Sequence, residues 1–249
     1  MRTWSNNAVD VSFIVTCYNY SKYVVEAINS CVKQAKNPLS VEIIVVDDGS
    51  SDGSKEIIQT HFFDIVRFFS IENSGVERAS NFGARQANGT YLIRLDADDI
   101  LEENYLKNIE KEIIDLKDII YTDYWEINED GEHLALVKLP DFEVKEILER
   151  GDFLATGTAI KKSKFFALGQ YDESFTNSGL ENYALILDAL RENLDFVHVP
   201  LPSFKYRLHK ESISGSNINK IIHNGDIIFS KRNLKGYKFG KYHPWAGRR

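Results

Sequence analysis

The sequence predicts an α/β fold built on a central, mostly parallel twisted sheet flanked by helices. Three observations carry this. Apolar runs of strand length recur at 11–18, 41–46, 65–70 and 91–95. Helical patterns separate them, at 23–32, near 53–60 and at 76–88. The run "VEIIVV" is continuously apolar and β-branched, the pattern of a parallel strand covered on both faces. Strands alternating with helices give right-handed crossovers in a parallel sheet.

The elements follow in order. "VSFIVTCY" (11–18) is the first strand, and Ser21 is the expected N-cap of the helix after it. In that helix Tyr23, Val24, Ala27, Ile28, Cys31 and Val32 recur on one face. "VEIIVV", "IVRFFS" and "YLIRL" continue the sheet. Beyond residue 100 a helix is expected near 102–116. "DIIYTDYW" (118–125), the turn "NEDG" and "EHLALVKL" (132–139) read as a hairpin. A helix near 180–192 and strands at 195–199 and 203–208 follow. No internal repeat or low-complexity linker interrupts the chain. Residues 1–249 are therefore expected to form one domain, with halves at about 10–100 and 101–217. A C-terminal helix and a tail fill 218–249.

Composition narrows the function classes. The net charge of −7 argues against a general nucleic-acid surface. No apolar run approaches the roughly 18–20 residues of a membrane span. "MRTWSNNAVD" has no apolar signal core, so a cytoplasmic setting is expected. Cys17 and Cys31 make no disulfide framework and read as small buried residues.

In open α/β sheets, ligands bind beyond the carboxyl ends of the strands. Three polar clusters lie at such ends: "TCYN" (16–19), "DDGSSDGS" (47–54), and Asp96, Asp98 and Asp99. Carboxylates this close repel and raise one another's pKa, so a cation is the natural compensation. Mg²⁺ and Mn²⁺ take hard oxygen ligands. Mg²⁺ commonly uses one or two protein carboxylates, with phosphates and water completing its shell. Asp96 and Asp98 fit that pattern. A calcium loop, with its glycine and distal glutamate, is absent.

Taken together, "VSFIVTCYNYSKYVVEAINSCVKQ", "VEIIVVDDGSSDGS" and "NSGVERASNFGARQANGTYLIRLDADDI" resemble the nucleotide-binding half of glycosyltransferase family 2, with its GT-A fold. The resemblance continues through "IIYTDYWEINEDG", "GDFLATGTAIKKS", "YDESFTNSGLENYALILDAL" and "YRLHKESISGSN", covering roughly residues 10–217. It implies an inverting, metal-dependent sugar transfer. The donor would be a nucleoside-diphosphate sugar, with a UDP-sugar expected, and the acceptor a glycan or lipid-linked glycan of a surface polysaccharide. It assigns the base and ribose to Thr16, Tyr18, Asn19, Asp47 and Asp48. Asp98 becomes the direct ligand of Mn²⁺ or Mg²⁺. Asp96 contacts the ribose or, through water, the metal, and Asp99 supports the site. "Y-R-x-H-x-x-S" falls on Tyr206, Arg207, His209 and Ser212, which puts Arg207 or His209 at the diphosphate or metal.

Two departures stand out. The family's usual glutamate-aspartate pair, whose aspartate is the base, reads Glu181-Asn182 here. An amide takes no proton, so Glu181 is the nearest substitute base. Asp188 is a weaker alternative, about 10.5 Å further along the helix. An unaligned carboxylate, a substrate-assisted route and weak or absent turnover remain open. The family also usually has an arginine directly before the asparagine that corresponds to Asn81, where this chain has Ser80. Arg78 stands about 200° away around a helix and cannot replace it. Arg94, on the same strand face as Asp96, can bring positive charge there.

The stretch 231–249 carries Lys231, Arg232, Lys235, Lys238, Lys241, Arg248 and Arg249 with Tyr237, Phe239, Tyr242 and Trp245, and no acid. It suggests contact with an anionic membrane face. Two competing classes are a non-catalytic nucleotide-sugar or glycan binder, suggested by Asn182, and a nucleotidyltransferase. The second lacks its glycine-rich basic loop in "TCYNYSKY".

Overall fold

The computed structural model describes residues 8–150, 156–192, 194–210, 212, 218–234, 236 and 237. Its strands are β1 (Val11–Cys17), β2 (Val41–Asp47), β3 (Arg67–Ser70), β4 (Tyr91–Asp96), β5 (Ile100–Leu101), β6 (Ile119–Ile127), β7 (His133–Val137), β8 (Ala159–Lys161) and β9 (Phe196–Arg207). The helices are α1 (Val24–Lys33), α2 (Ser54–Phe62), α3 (Val76–Gln86), α4 (Tyr105–Ile114), α5 (Val144–Arg150), α6 (Lys162–Ala167), α7 (Glu181–Ala189) and α8 (Ile218–Lys231).

All nine strands belong to one sheet, ordered β3-β2-β1-β4-β8-β6-β9-β5, with β7 paired to β6. The first four run parallel. β8 is antiparallel to both β4 and β6. The second half thus extends the first sheet. β1, β2 and β4 carry the apolar core, with Val11, Phe13, Val15, Ile44, Val45, Ile93 and Leu95 inaccessible. Close packing of α3 on this sheet depends on Gly83, where an added Cβ would come within 2.5 Å of Ile14 Cγ2.

Several elements depart from the sequence reading. α1 begins at Val24 and has no side-chain cap; the Ser21 amide instead donates to Asp52 Oδ2 at 2.8 Å. The two strands expected at 195–199 and 203–208 are one strand, β9. Its register against β6 shifts between Thr122 and Tyr124, opposite Pro202. Prolines cannot donate to a ladder, so the bulge absorbs Pro200 and Pro202 without breaking the strand.

The described part of the basic, aromatic tail packs inward. Arg232 Nε donates to Asp188 Oδ1 (2.8 Å), and Lys231 Nζ donates to Asp172 Oδ2 (3.1 Å). Tyr237 is buried against Phe229 and Tyr183. Lys235, Lys238, Phe239 and residues 241–249 lie outside the described residues. Among the described residues no helix is long and apolar enough to cross a membrane.

Candidate active site

Parallel register brings the polar clusters together. Thr16 pairs with Asp96 and Cys17 with Asp47, so the ends of β1, β2 and β4 form one rim. Thr16 Oγ1 donates to Asp96 Oδ1 at 3.3 Å. β5 then pairs with β9 through Ile100 and Lys205, which returns the end of β9 to the acidic segment.

At that junction His209 Nε2 lies 2.8 Å from Asp98 Oδ2, both side chains buried. The Tyr20 and Tyr23 rings flank the imidazole. His209 Nδ1 and Asp99 Oδ2 are buried with no hydrogen-bond partner among the described residues. Burial first, and then the charges of Asp98 and Asp96, drive the Asp99 carboxyl well above its ordinary range. The Asp96 carboxyl is pushed up to about 6 by burial and by Asp98 and Glu181, against the pull of Arg94. Among the described residues no three His, Cys, Asp or Glu side chains are grouped so that they could hold a metal ion by themselves. The facing pair of Asp98 and His209 offers two donors, which suits a hard divalent cation only if a phosphate and water complete its shell.

Arg207, expected at the diphosphate, is instead committed to the protein. Its Nε donates to the Asp98 carbonyl (2.8 Å), Nη1 to the Asn128 and Glu129 carbonyls (3.2 and 2.9 Å), and Nη2 to Glu26 Oε2 (2.7 Å). Its amide donates to Asp99 Oδ1 at 2.9 Å. A guanidinium has five N–H donors, so little of it remains for a ligand. Arg207 holds the backbone of the acidic segment, and of the pair only His209 meets the Asp98 carboxylate.

Asp47 and Asp48 are buried and turned onto the loops. Asp47 accepts from the Ser50 amide (3.2 Å) and the Ser70 hydroxyl (3.0 Å). Asp48 accepts from the Ser74 and Gly75 amides (2.8 and 2.9 Å), and burial raises its pKa. Gly75 adopts φ +90°, which a side chain would strain, and its amide reaches Asp48 from there. Asn19, also at positive φ, accepts from the Ser51 amide at 2.8 Å and so joins the β1 and β2 loops. Tyr18 stands free at the rim, 45% exposed.

Arg94 joins the two halves of the site. Its Nη1 donates to Glu181 Oε1 at 2.8 Å and its Nη2 to Asp96 Oδ2 at 3.1 Å. Burial works against its charge, but Asp96 and Glu181 outweigh that and hold it firmly protonated. The Tyr171 ring lies against the guanidinium at 5.6 Å, and the Tyr171 hydroxyl donates to Asn182 Oδ1 at 2.9 Å. Asn81 fixes Tyr171 through its backbone amide and carbonyl (3.0 and 2.9 Å). Asp188 is not brought to this cluster; its carboxylate is engaged by Arg232. Arg78 faces Glu173 across 3.7 Å.

Sequence reasoning missed Glu77. Its buried carboxylate accepts from the Asn177 and Ser178 amides (2.8 and 2.7 Å), while the Val76 amide donates to Asn177 Oδ1 (3.0 Å). This ties the start of α3 to the loop before α7, and so places Glu181. An acid in a first helical turn is too common to single it out.

Comparisons with known proteins agree with this architecture. The family model for glycosyl transferase family 2 matches residues 12–176. The chain is 34% identical over 142 residues to glycosyltransferase GlyG of Streptococcus pneumoniae, covering 55% of this chain and 46% of that one. It is 32% identical over 225 residues to an uncharacterized glycosyltransferase of Rickettsia typhi, covering 85% and 68%. It thus spans about half the length of GlyG. The structure of Staphylococcus aureus TarS 1–349 in complex with UDP-GlcNAc superposes with a TM-score of 0.71 at 17% identity, covering 92% of this chain and 68% of that one. That likeness is one of fold, the GT-A fold. The sheet with its acidic strand end, and a family match over most of the chain, place this protein in glycosyl transferase family 2.

Proposed function

We propose that the protein is a metal-dependent, inverting glycosyltransferase that moves a sugar from a nucleoside-diphosphate sugar to a glycan or lipid-linked glycan of a surface polysaccharide. The expected donor is a UDP-sugar. The observation that carries the reading is the facing pair of Asp98 and His209, with Asp96 joined to Glu181 through Arg94. UDP and UDP-GlcNAc are bound in TarS structures, which share the fold and support the choice of donor.

Asp98 and His209 are the residues that would hold Mn²⁺ or Mg²⁺, with Asp96 reaching it through water. Such an ion, when bound, offsets the negative charge that develops on the departing diphosphate. The chain's own groups do the rest. Tyr18 offers an exposed ring for a nucleobase to stack on. The loops fastened by Asp47, Asp48 and Asn19 shape the nucleotide's seat. Glu181 takes the proton of the acceptor hydroxyl as that oxygen attacks the anomeric carbon. Arg94 keeps the Glu181 carboxylate aimed at one place and shields it from Asp96.

Calorimetric titration of UDP, GDP, dTDP and CMP, with and without Mn²⁺, tests the reading on the wild type and on Asp98→Ala. The expected result is tight binding of UDP alone that requires both Mn²⁺ and Asp98. Metal-independent binding, or none, would overturn the metal-dependent reading.

A further inference from the structure

We propose that α8 is a positioning element of the active site proposed above, and that its Asn224 is a positioning residue for Glu181. The inference rests on that functional reading. The family match ends at residue 176, so α8 lies wholly beyond it. Helical spacing sets Lys220, Asn224 and Lys231 along one side of α8. Each reaches the loop between α6 and α7. Lys231 Nζ donates to Asp172 Oδ2 (3.1 Å) and Ser174 Oγ (2.9 Å), and Lys220 Nζ donates to the Thr176 carbonyl (2.8 Å). Asn224 Nδ2 donates to the Ser178 carbonyl at 3.2 Å. The two lysines are exposed, where such contacts contribute little. Asn224 is different: it is buried, between Ile221 and Ile228 one turn away on either side. An amide in that setting is costly unless it is bonded, and its bond goes to Ser178.

Ser178 is where three helices meet. It is buried, and its amide donates to Glu77 Oε1 of α3 at 2.7 Å. Its hydroxyl accepts from the Leu180 amide (3.2 Å) and donates to Glu181 Oε2 of α7 (3.4 Å). Its carbonyl is the group that α8 takes through Asn224. Arg94 holds Oε1 of Glu181, so the two carboxylate oxygens meet β4 on one side and Ser178 on the other. A turn of the Ser178 peptide would therefore carry directly into the aim of Glu181. Further along α7, Arg232 at the end of α8 engages Asp188. The C-terminal helix thus holds the chain both before and after Glu181.

Asn224→Leu tests this in the full chain, because leucine keeps the branched shape and removes the donor. Its kcat should fall by about tenfold, since small misplacement of a reacting group is costly. Calorimetric affinity for UDP with Mn²⁺ should stay within about twofold. The kcat loss should vanish in a Glu181→Gln background, because a residue that acts through Glu181 then has nothing left to position. Amide hydrogen exchange supplies a readout that needs no turnover. In Asn224→Leu the Asn177 and Ser178 amides should exchange at least about tenfold faster, with Phe13 and Val15 of β1 unchanged, which also shows that the variant is folded. A wild type that transfers sugar, with kcat unchanged in Asn224→Leu, would overturn this proposal alone. So would losses that multiply with Glu181→Gln, or exchange at 177 and 178 that stays as slow as in wild type. A wild type that turns over no donor would overturn the functional reading, and this proposal with it.

Discussion

Arg94 Nη1 stands 2.8 Å from Glu181 Oε1, so one buried cation on β4 holds the first residue of α7. The same guanidinium holds Asp96. Removing it would leave two carboxylates facing each other without compensation. Breaking a buried pair by deleting one partner costs about 3–5 kcal/mol. Arg94→Met is therefore expected to lower stability by about 3 kcal/mol at neutral pH. Adding Glu181→Gln should recover part of that loss. Urea unfolding of the four proteins in this double-mutant cycle measures the coupling.

Glu77 acts on the same helix from the opposite side. Its carboxylate fixes two amides just ahead of Glu181. Glu77→Ala should lower kcat by about tenfold or more, because small misplacement of a reacting group is costly. Nucleotide affinity, read by calorimetry, should stay within about twofold, since Glu77 touches none of the proposed ligand-binding groups. An equal loss in both would show that Glu77 supports the whole site rather than the placement of Glu181.

Much of this fold was legible because its strands announce themselves. β1 and β2 are rich in β-branched residues and β4 is largely apolar, and at six or seven residues each is long enough to read alone. β5 and β8 have two and three residues and owe their strand state to neighbours already in place. In the site, Asp96, Asp98 and His209 were visible as motif positions. That Arg207 is consumed by carbonyls at 128 and 129 was not, because those contacts bridge seventy-eight or more residues of sequence. Hydrogen-bond partners of this kind belong to the tertiary fold, and no local pattern encodes them.

Glu42 provides a pH signature far from the proposed chemistry. Its buried carboxylate accepts from Ser12 Oγ (2.6 Å), the Asn88 amide and Arg67 Nη1 (2.7 Å). Burial alone would raise its pKa, but these donors outweigh it and hold the carboxyl below the usual range. A depressed carboxylate stabilises the fold fully above its unfolded pKa of about 4.3, and that contribution fades as pH falls through the folded value. Glu42→Gln should therefore be less stable than wild type above about pH 5, with the gap closing in more acid solution. Urea midpoints of both proteins across pH check the sign.

The two cysteines should be silent in the native state. Cys17 and Cys31 are both buried, and burial pushes the Cys17 thiol up to about 11 and Cys31 higher still. The thiolate is the reactive form, so a disulfide reagent such as DTNB should release no thiol colour from the folded protein at pH 8. Adding urea should release two equivalents, the full count in the sequence. Rapid labelling without denaturant would mean that β1 and α1 open far more readily than their packing implies.

Glu181 and Asn182 offer the sharpest test of the proposed base. Asn182 Oδ1 is already engaged by the Tyr171 hydroxyl, and Asn182→Asp would keep that acceptor. The new carboxylate would stand beside Glu181 and compete for the single positive charge of Arg94. If Glu181 takes the proton, Asn182→Asp should leave turnover unchanged or lower it. Glu181→Gln should then reduce kcat by about 10²–10⁴-fold, the usual contribution of a general base, with metal-dependent nucleotide binding preserved. A gain of tenfold or more in Asn182→Asp would instead mark position 182 as the place where catalysis wants its carboxylate. Full turnover in Glu181→Gln would remove the assignment outright and leave Glu181 as the anchor that holds Arg94 against Asp96.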